Sequence, residues 1–163
     1  MRMLVTAALC LALIVPAAAE QWRYEGGATP IAWFDNGDTQ FQFACRGGTL
    51  TMSFWVRKPD ASIADANAIS LAITPDPASG AAPLAGNTSF AQDMPLVHLD
   101  GSSVIVRGPV ARQWARIAQN ARETIWVAFV RVKSSGSFEP VDASSFGTVG
   151  SKAMIGKVLG QCG

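Results

Sequence analysis

The stretch that decides the fold runs Asp38-Thr39-Gln40-Phe41-Gln42-Phe43-Ala44-Cys45-Arg46-Gly47-Gly48-Thr49-Leu50-Thr51-Met52-Ser53-Phe54-Trp55-Val56. Before the glycine pair, Phe41, Phe43 and Cys45 alternate with polar residues, and after it Leu50, Met52, Phe54 and Val56 do the same. A period of two is that of a strand with one buried face. Gly47-Gly48 tolerates the positive φ needed at both central positions of a type I′ turn, whose twist matches that of the flanking strands. A two-residue loop there sets Cys45 opposite Leu50, Phe43 opposite Met52, Phe41 opposite Phe54 and Gln42 opposite Ser53. A slip of one residue would carry every apolar side chain to the wrong face, so the pattern fixes the register.

Outward from this hairpin the chain continues as short strands. Gln21–Tyr24 and Ile31–Phe34 precede it, the second closed by Asp35-Asn36-Gly37. Ile69–Thr74 alternates after a loop at Pro59–Ala68. Pro75–Asn87, rich in Pro, Gly, Ala and Ser, reads as a long loop. Leu96–Leu99 and Ser103–Val106 flank Asp100-Gly101, a second hairpin signal that sets Ser103 opposite His98. Thr124–Lys133 is apolar on both sides, as expected of a strand inside a sheet with both faces covered. Ser137–Val141 reads as an edge strand, where Pro140 is tolerated. Gly108-Pro109 opens a helix whose apolar stripe is Val110, Trp114 and Ile117. Ser151–Cys162 is a second helix, with Met154, Ile155, Val158, Leu159 and Cys162 on one stripe. Seven or eight strands, mostly joined as hairpins, and two helices define an α+β domain: an antiparallel sheet or curved sandwich with helices packed on it.

Composition agrees with a packed domain and excludes several classes. Of 163 residues, 49% are hydrophobic and 15% charged, and the formal net charge is +1. Disordered chains combine low hydrophobicity with high net charge, and electrostatic nucleic-acid binders carry a basic excess. Neither description fits. Part of the hydrophobic content is a leader. Arg2 precedes the apolar run Leu4–Val15, Pro16 ends it, and Ala17-Ala18-Ala19 before Glu20 is a small-x-small cleavage site, the order found in a secretory signal peptide. The run is too short to span a bilayer, which takes about 20 residues. Cleavage after Ala19 makes residues 20–163 the domain, exported to a periplasm or the medium, with basic and acidic side chains equal in number.

Cys45 and Cys162 remain after cleavage. Two cysteines in an oxidising compartment point to one disulfide. Each falls on the apolar face of its element, and no Cys-x-x-Cys occurs, so the pair reads as structural rather than redox-active. Chemistry elsewhere is sparse. His98 is the single histidine, and with Asp100 and Ser103 it forms the one weak candidate for nucleophilic catalysis, although Asp100 is not placed to support the imidazole from behind. A metal centre takes three or four donors and His98 with Asp100 offers two, so no metal and no cofactor is expected. The carboxylate pairs Glu139/Asp142 and Asp60/Asp65 fall in loop-like stretches and give no cleft for glycoside hydrolysis. Arg112, Arg116 and Arg122 read either as the frame of an anionic site or as a solvated helix flank.

Tryptophan is the conspicuous residue. Trp114 and Trp126 fit buried positions, whereas Trp55 sits on the polar face of the first hairpin beside Arg57. Trp55 with Arg57, and Trp33 with Phe34 beside the Asp35-Asn36-Gly37 turn, are the candidate binding surface, because aromatic and Arg side chains dominate interface energetics. The alternative for Trp55 is burial beneath a helix.

An early Trp22, the Phe43-Ala44-Cys45 strand entering a glycine turn, and a closing helix with Ala153-Met154-Ile155, Val158-Leu159 and Cys162 resemble small exported Gram-negative proteins such as the VasI/TagO accessory proteins of type VI secretion. The resemblance implies architecture alone, and no functional motif carries over. Together these features describe a non-catalytic, periplasmic or secreted accessory or binding protein of the cell envelope. Its expected partner is a protein, and no integral membrane segment remains after cleavage. The competing readings are a small periplasmic hydrolase using His98 and Asp100, and a secreted effector or inhibitor that docks on a protein partner.

Overall fold

A computed structural model describes residues 20–78 and 86–162 of the chain. The proposed leader, residues 1–19, and the middle of the loop read at Pro75–Asn87 lie outside the described residues. In chain order the elements are β1 (Arg23–Glu25), β2 (Ile31–Asp35), β3 (Thr39–Arg46), β4 (Thr49–Val56), α1 (Ala61–Ala64), β5 (Ala68–Pro75), β6 (Ser89–His98), β7 (Ser102–Arg107), α2 (Gly108–Asn120), β8 (Thr124–Val132), β9 (Phe138–Gly147) and α3 (Ser151–Gln161). The strands form one antiparallel sheet in the order β1-β2-β3-β4-β7-β6-β5-β8-β9. The α+β class stands, with nine strands where seven or eight were expected and three helices where two were expected.

The first hairpin has the register that its alternation requires: Cys45 faces Leu50, Phe43 faces Met52, Phe41 faces Phe54 and Gln42 faces Ser53. Gly47 and Gly48 turn with φ of 56° and 76°. The apolar side of this hairpin is the inner face of a curled sheet. Phe54 meets Phe129 of β8 with ring centroids 5.0 Å apart, and Phe146 of β9 meets both Phe34 and Phe41 at 5.5 Å. Strands at opposite ends of the sheet order therefore pack on each other across one core. The two ends are also joined by backbone. Trp22, just before β1, donates its backbone N–H to Val149 and its indole N–H to Gly147, each at 3.0 Å.

The helices fill the same core. α2 packs on β4 and β7, α3 on β2 and β3, and the two helices pack on each other. α3 buries Ile155 and Val158, with Cys162 fully enclosed at its end. The Cys162 sulfur lies 2.01 Å from that of Cys45, at disulfide distance, so the helix is tied to β3. α2 departs from the expected stripe. Its buried residues are Ala111, Trp114, Ala115 and Ala118, while Val110 is 38% exposed and Ile117 half-buried. Three alanines allow the helix axis to approach the sheet closely, and Trp114 fills the remaining depth. Trp114 and the half-buried Ile117 of the expected stripe do meet the core, whereas Val110 does not and the three alanines take its place.

Two other departures have local causes. α1 is a single turn inside the stretch read as a loop, started by Asp60, whose carboxylate accepts the Ser62 N–H. β6 begins at Ser89, well before Leu96, because Asp93 takes a φ of 52° at an irregularity opposite Ile69–Leu71 and interrupts the alternation. Ser70 compensates by accepting the Asp93 N–H. β8 is covered on both faces, as expected. Ile125, Val127 and Phe129 join the main core, while Trp126, Ala128 and Val130 form a second cluster with Ala72, Phe90 and Phe138. Among the described residues no helix is long and apolar enough to cross a membrane.

Two predictions follow from these links. The cysteines are 117 residues apart in sequence. Closing so long a loop stabilises by about 4–5 kcal/mol in the chain-entropy account. The Cys45→Ala/Cys162→Ala variant should therefore melt on the order of 10 °C lower by circular dichroism. Asp76, at a φ of 44°, grips the connection between α2 and β8 by accepting the backbone N–H groups of Arg122, Glu123 and Thr124 at 2.7–3.1 Å. Burial pushes its carboxyl up, but these hydrogen bonds and the Arg122 charge outweigh it and hold the pKa below the ordinary 3.8. The resulting stability is complete above the unfolded carboxyl's pKa of about 4 and is lost as pH falls through the lower folded value. Asp76→Asn should lower the melting temperature by a few degrees at pH 7 and flatten its dependence on pH below about 4.

Candidate functional site

With the helices on the inner face, the outer face of β2, β3, β4, β7 and β6 carries none of them. Register places its side chains in rows. Trp33, Gln42, Ser53 and Ile105 stand side by side across four strands, and Asp35, Gln40, Trp55, Ser103 and Val97 form the next row. A shallow groove of about 440 Å³ runs over this face. Gln40, Gln42, Ser53 and Trp55 line it from β3 and β4, Val97, Ser103 and Ile105 from β6 and β7, and Leu99 and Asp100 from the turn between them. Leu99 is 75% exposed, Val97 46% and Ile105 37%. Gln40 donates from Nε2 to Oε1 of Gln42 at 2.8 Å, which fixes both amides in the groove.

Trp55 is half-buried without a helix over it. Its neighbours hold it rigidly. The Arg57 guanidinium lies 4.5 Å from the centre of its ring, and is itself held by Asp35 through Nη1–Oδ1 at 3.0 Å and Nη2–Oδ2 at 2.5 Å, with Nη1 also donating to the Gly37 carbonyl. Burial raises the Asp35 carboxyl. The Arg57 hydrogen bonds, the Gly37 N–H and the charges of Arg57 and Arg23 outweigh that effect and leave its pKa below 3.8. Asp35 is therefore ionised at neutral pH, and the Asp35–Arg57 pair backs Trp55 at the edge of the groove. Trp33 has a similar partner, with the Arg23 guanidinium 5.2 Å from its ring centre. Phe34 is not part of this surface, contrary to expectation: it is fully buried against Trp22 and Phe146 and belongs to the core, because neighbouring residues of a strand face opposite sides.

The expected hairpin between β6 and β7 forms with a different register. Its loop has three residues, Leu99-Asp100-Gly101, so that His98 faces Ser102 and Val97 faces Ser103. This one-residue difference separates the weak catalytic candidates. Asp100 and Ser103 line the outer groove, while His98 lies on the other side with the buried Ser102. Its Nδ1 is 2.9 Å from Ser102 Oγ on β7 and its Nε2 donates to the Ala66 carbonyl at 2.8 Å, so both ring nitrogens are engaged, the second in holding the loop before β5. The carboxylates are similarly occupied. Asp142 accepts the Asp60 N–H at 2.7 Å, and Glu139 pairs with Lys133 at 3.2 Å. Among the described residues no group of three or more His, Cys, Asp or Glu is arranged to hold a metal. No family model, curated protein or solved structure matches the chain.

Alternation alone puts Gln40, Gln42 and Ser53 on the Trp55 face, so these groove residues are readable from sequence. Val97, Leu99 and Ile105 are not, because their inclusion depends on β7 pairing with β4. The turn that completes the groove is sterically exacting. A Cβ on Gly101, whose φ is 127°, would fall 2.3 Å from the Val56 carbonyl oxygen and 2.8 Å from the Trp55 indole nitrogen. Gly101→Ala should destabilise the fold by on the order of 2 kcal/mol in chemical denaturation and shift Trp55 fluorescence, since the turn must lift away from the indole.

Proposed function

We propose that this chain is a non-catalytic binding protein of the cell envelope, exported to a periplasm or the medium, which engages a protein partner through the outer groove around Trp55. The observation that carries this reading is the exposed set Val97, Leu99 and Ile105 beside Trp55, on a sheet face that the helices leave open. The groove has the anatomy of a protein-binding patch: apolar and aromatic contacts at its centre, hydrogen-bonding amides and hydroxyls among them, and a charged rim at Arg57 and Asp100. The Asp35–Arg57 pair holds Trp55 before any partner arrives, which reduces the ordering cost of association. The signal-like leader and the cysteine pair support export, and the outline resemblance to VasI/TagO accessory proteins supports an envelope setting. An effector that docks on a protein partner would use this same surface. His98 has no part in the reading, since its ring nitrogens serve Ser102 and Ala66.

A photoreactive amino acid at Gln42, in the groove, should give a discrete crosslinked adduct in the native host, and one at the exposed Glu139 on β9 should not. The adduct should disappear when Trp55→Ala is added to a variant that still folds. Equal adducts from both positions, none from either, or an adduct insensitive to Trp55→Ala would refute the assignment of the groove.

A further inference from the structure

A second surface, independent of the groove, is formed by the helices. α2 carries Arg112 and Arg116, α3 carries Lys152 and Lys157, and neither helix contains an acidic residue. In a chain whose net charge is +1, four cations gathered on one layer leave the remainder of the molecule net negative. None of the four forms an ion pair with a described carboxylate. The helices run antiparallel, because Arg112 donates to the carbonyl of Cys162 at one end and Gln119 donates to that of Lys152, at 3.2 Å, at the other. The cations are therefore distributed over a two-helix layer rather than gathered at one point. Arg116, Lys152 and Lys157 are exposed, the Lys157 ammonium lying 4.9 Å from the centre of the Tyr24 ring, and Val110 and Val149, at opposite ends of the layer, are exposed as well.

Helix stability does not account for this arrangement. Cations are electrostatically unfavourable near a helix N-terminus, yet Arg107 stands at the N-cap of α2 and Lys152 in the first turn of α3. Neither N-terminus has a side-chain cap hydrogen bond or an acid in its first turn to offset these cations. We propose that the α2–α3 layer docks on an anionic phospholipid bilayer, with Arg116, Lys152 and Lys157 over the headgroup phosphates and Val110 and Val149 reaching the interface. Charge complementarity selects an anionic partner. A bilayer surface suits cations spread over two helices, whereas a single phosphate would call for converging groups. Because the Trp55 groove lies on the outer sheet face, docking by the helices leaves it open.

The test is sedimentation of residues 20–163 with vesicles of phosphatidylcholine containing about 30 mol % phosphatidylglycerol, against vesicles of phosphatidylcholine alone. The expected result is binding to the anionic vesicles at least about tenfold stronger than to the neutral ones, and its loss in about 0.5 M salt. The exposed substitutions Arg116→Gln/Lys152→Gln/Lys157→Gln should weaken it by at least about tenfold with the melting temperature preserved. Arg112 is left in place because it ties Cys162. Absence of sedimentation, equal binding to both vesicles, or unchanged binding by the triple variant would overturn the proposal. Retention by soluble polyglutamate without binding to anionic vesicles would overturn it in favour of an acidic protein.

Discussion

The contact on which the rest of the structure depends is the meeting of Phe146 with Phe34, Phe41 and Phe54. These rings come from β9 and from β2, β3 and β4, strands at opposite ends of the sheet order. Their association, with Phe54 against Phe129, brings the two ends together and gives the sheet an inside. Aromatic side chains suit this task, since each buries a large apolar area and edge-to-face pairs add to the gain. Trp22 completes the closure, stacking beside Phe43 while its indole N–H bonds Gly147, the last residue of β9, and its backbone N–H bonds Val149 just beyond. The disulfide then fastens the last helix over the same core.

Once the sheet has an inside, the period-two alternation assigns a role to every other residue. On β4, Met52, Phe54 and Val56 serve the core, and Thr51, Ser53 and Trp55 face outward. The inner set is supported by three helices and the far end of the sheet, so the outer set is free to carry side chains selected for contact. The charge pattern divides in a comparable way. Asp35 and Arg57 neutralise each other at the groove rim, while the helical layer concentrates cations without acids to pair them. A formal net charge of only +1 over the whole chain conceals this separation.

How much of this was legible in the sequence depended on whether the interaction was local. The β3–β4 hairpin could be read in full, because alternation and Gly47-Gly48 fix register without outside help. The Cys45–Cys162 pairing was also readable, from two cysteines on apolar faces. The β6–β7 register was not, since Asp100-Gly101 is compatible with loops of two or three residues and only packing against Trp55 and Val56 selects the longer one. The face of α2 was legible at Trp114 and Ile117 but not at Ala111, Ala115 and Ala118, which gain burial from being small, a property that a hydrophobic stripe does not register. The groove itself required the non-sequential pairing of β4 with β7, which no local pattern announces. Trp55 on the polar face was the single sequence signal for it, and Phe34, placed beside Trp33 as a surface residue, belongs to the opposite side.

The central claim is that one face of this sheet holds the fold and the other binds. Val104 and Ile105 are neighbours on β7, the first fully buried and the second 37% exposed in the groove. The most direct measurement compares Val104→Asp with Ile105→Asp, scoring thermal melting and crosslinking from Gln42 in the same preparations. The account predicts that Val104→Asp collapses the fold, whereas Ile105→Asp melts within a few degrees of the wild type and loses the adduct. An Ile105→Asp protein that folds and crosslinks undiminished would contradict it, as would one that unfolds as readily as Val104→Asp.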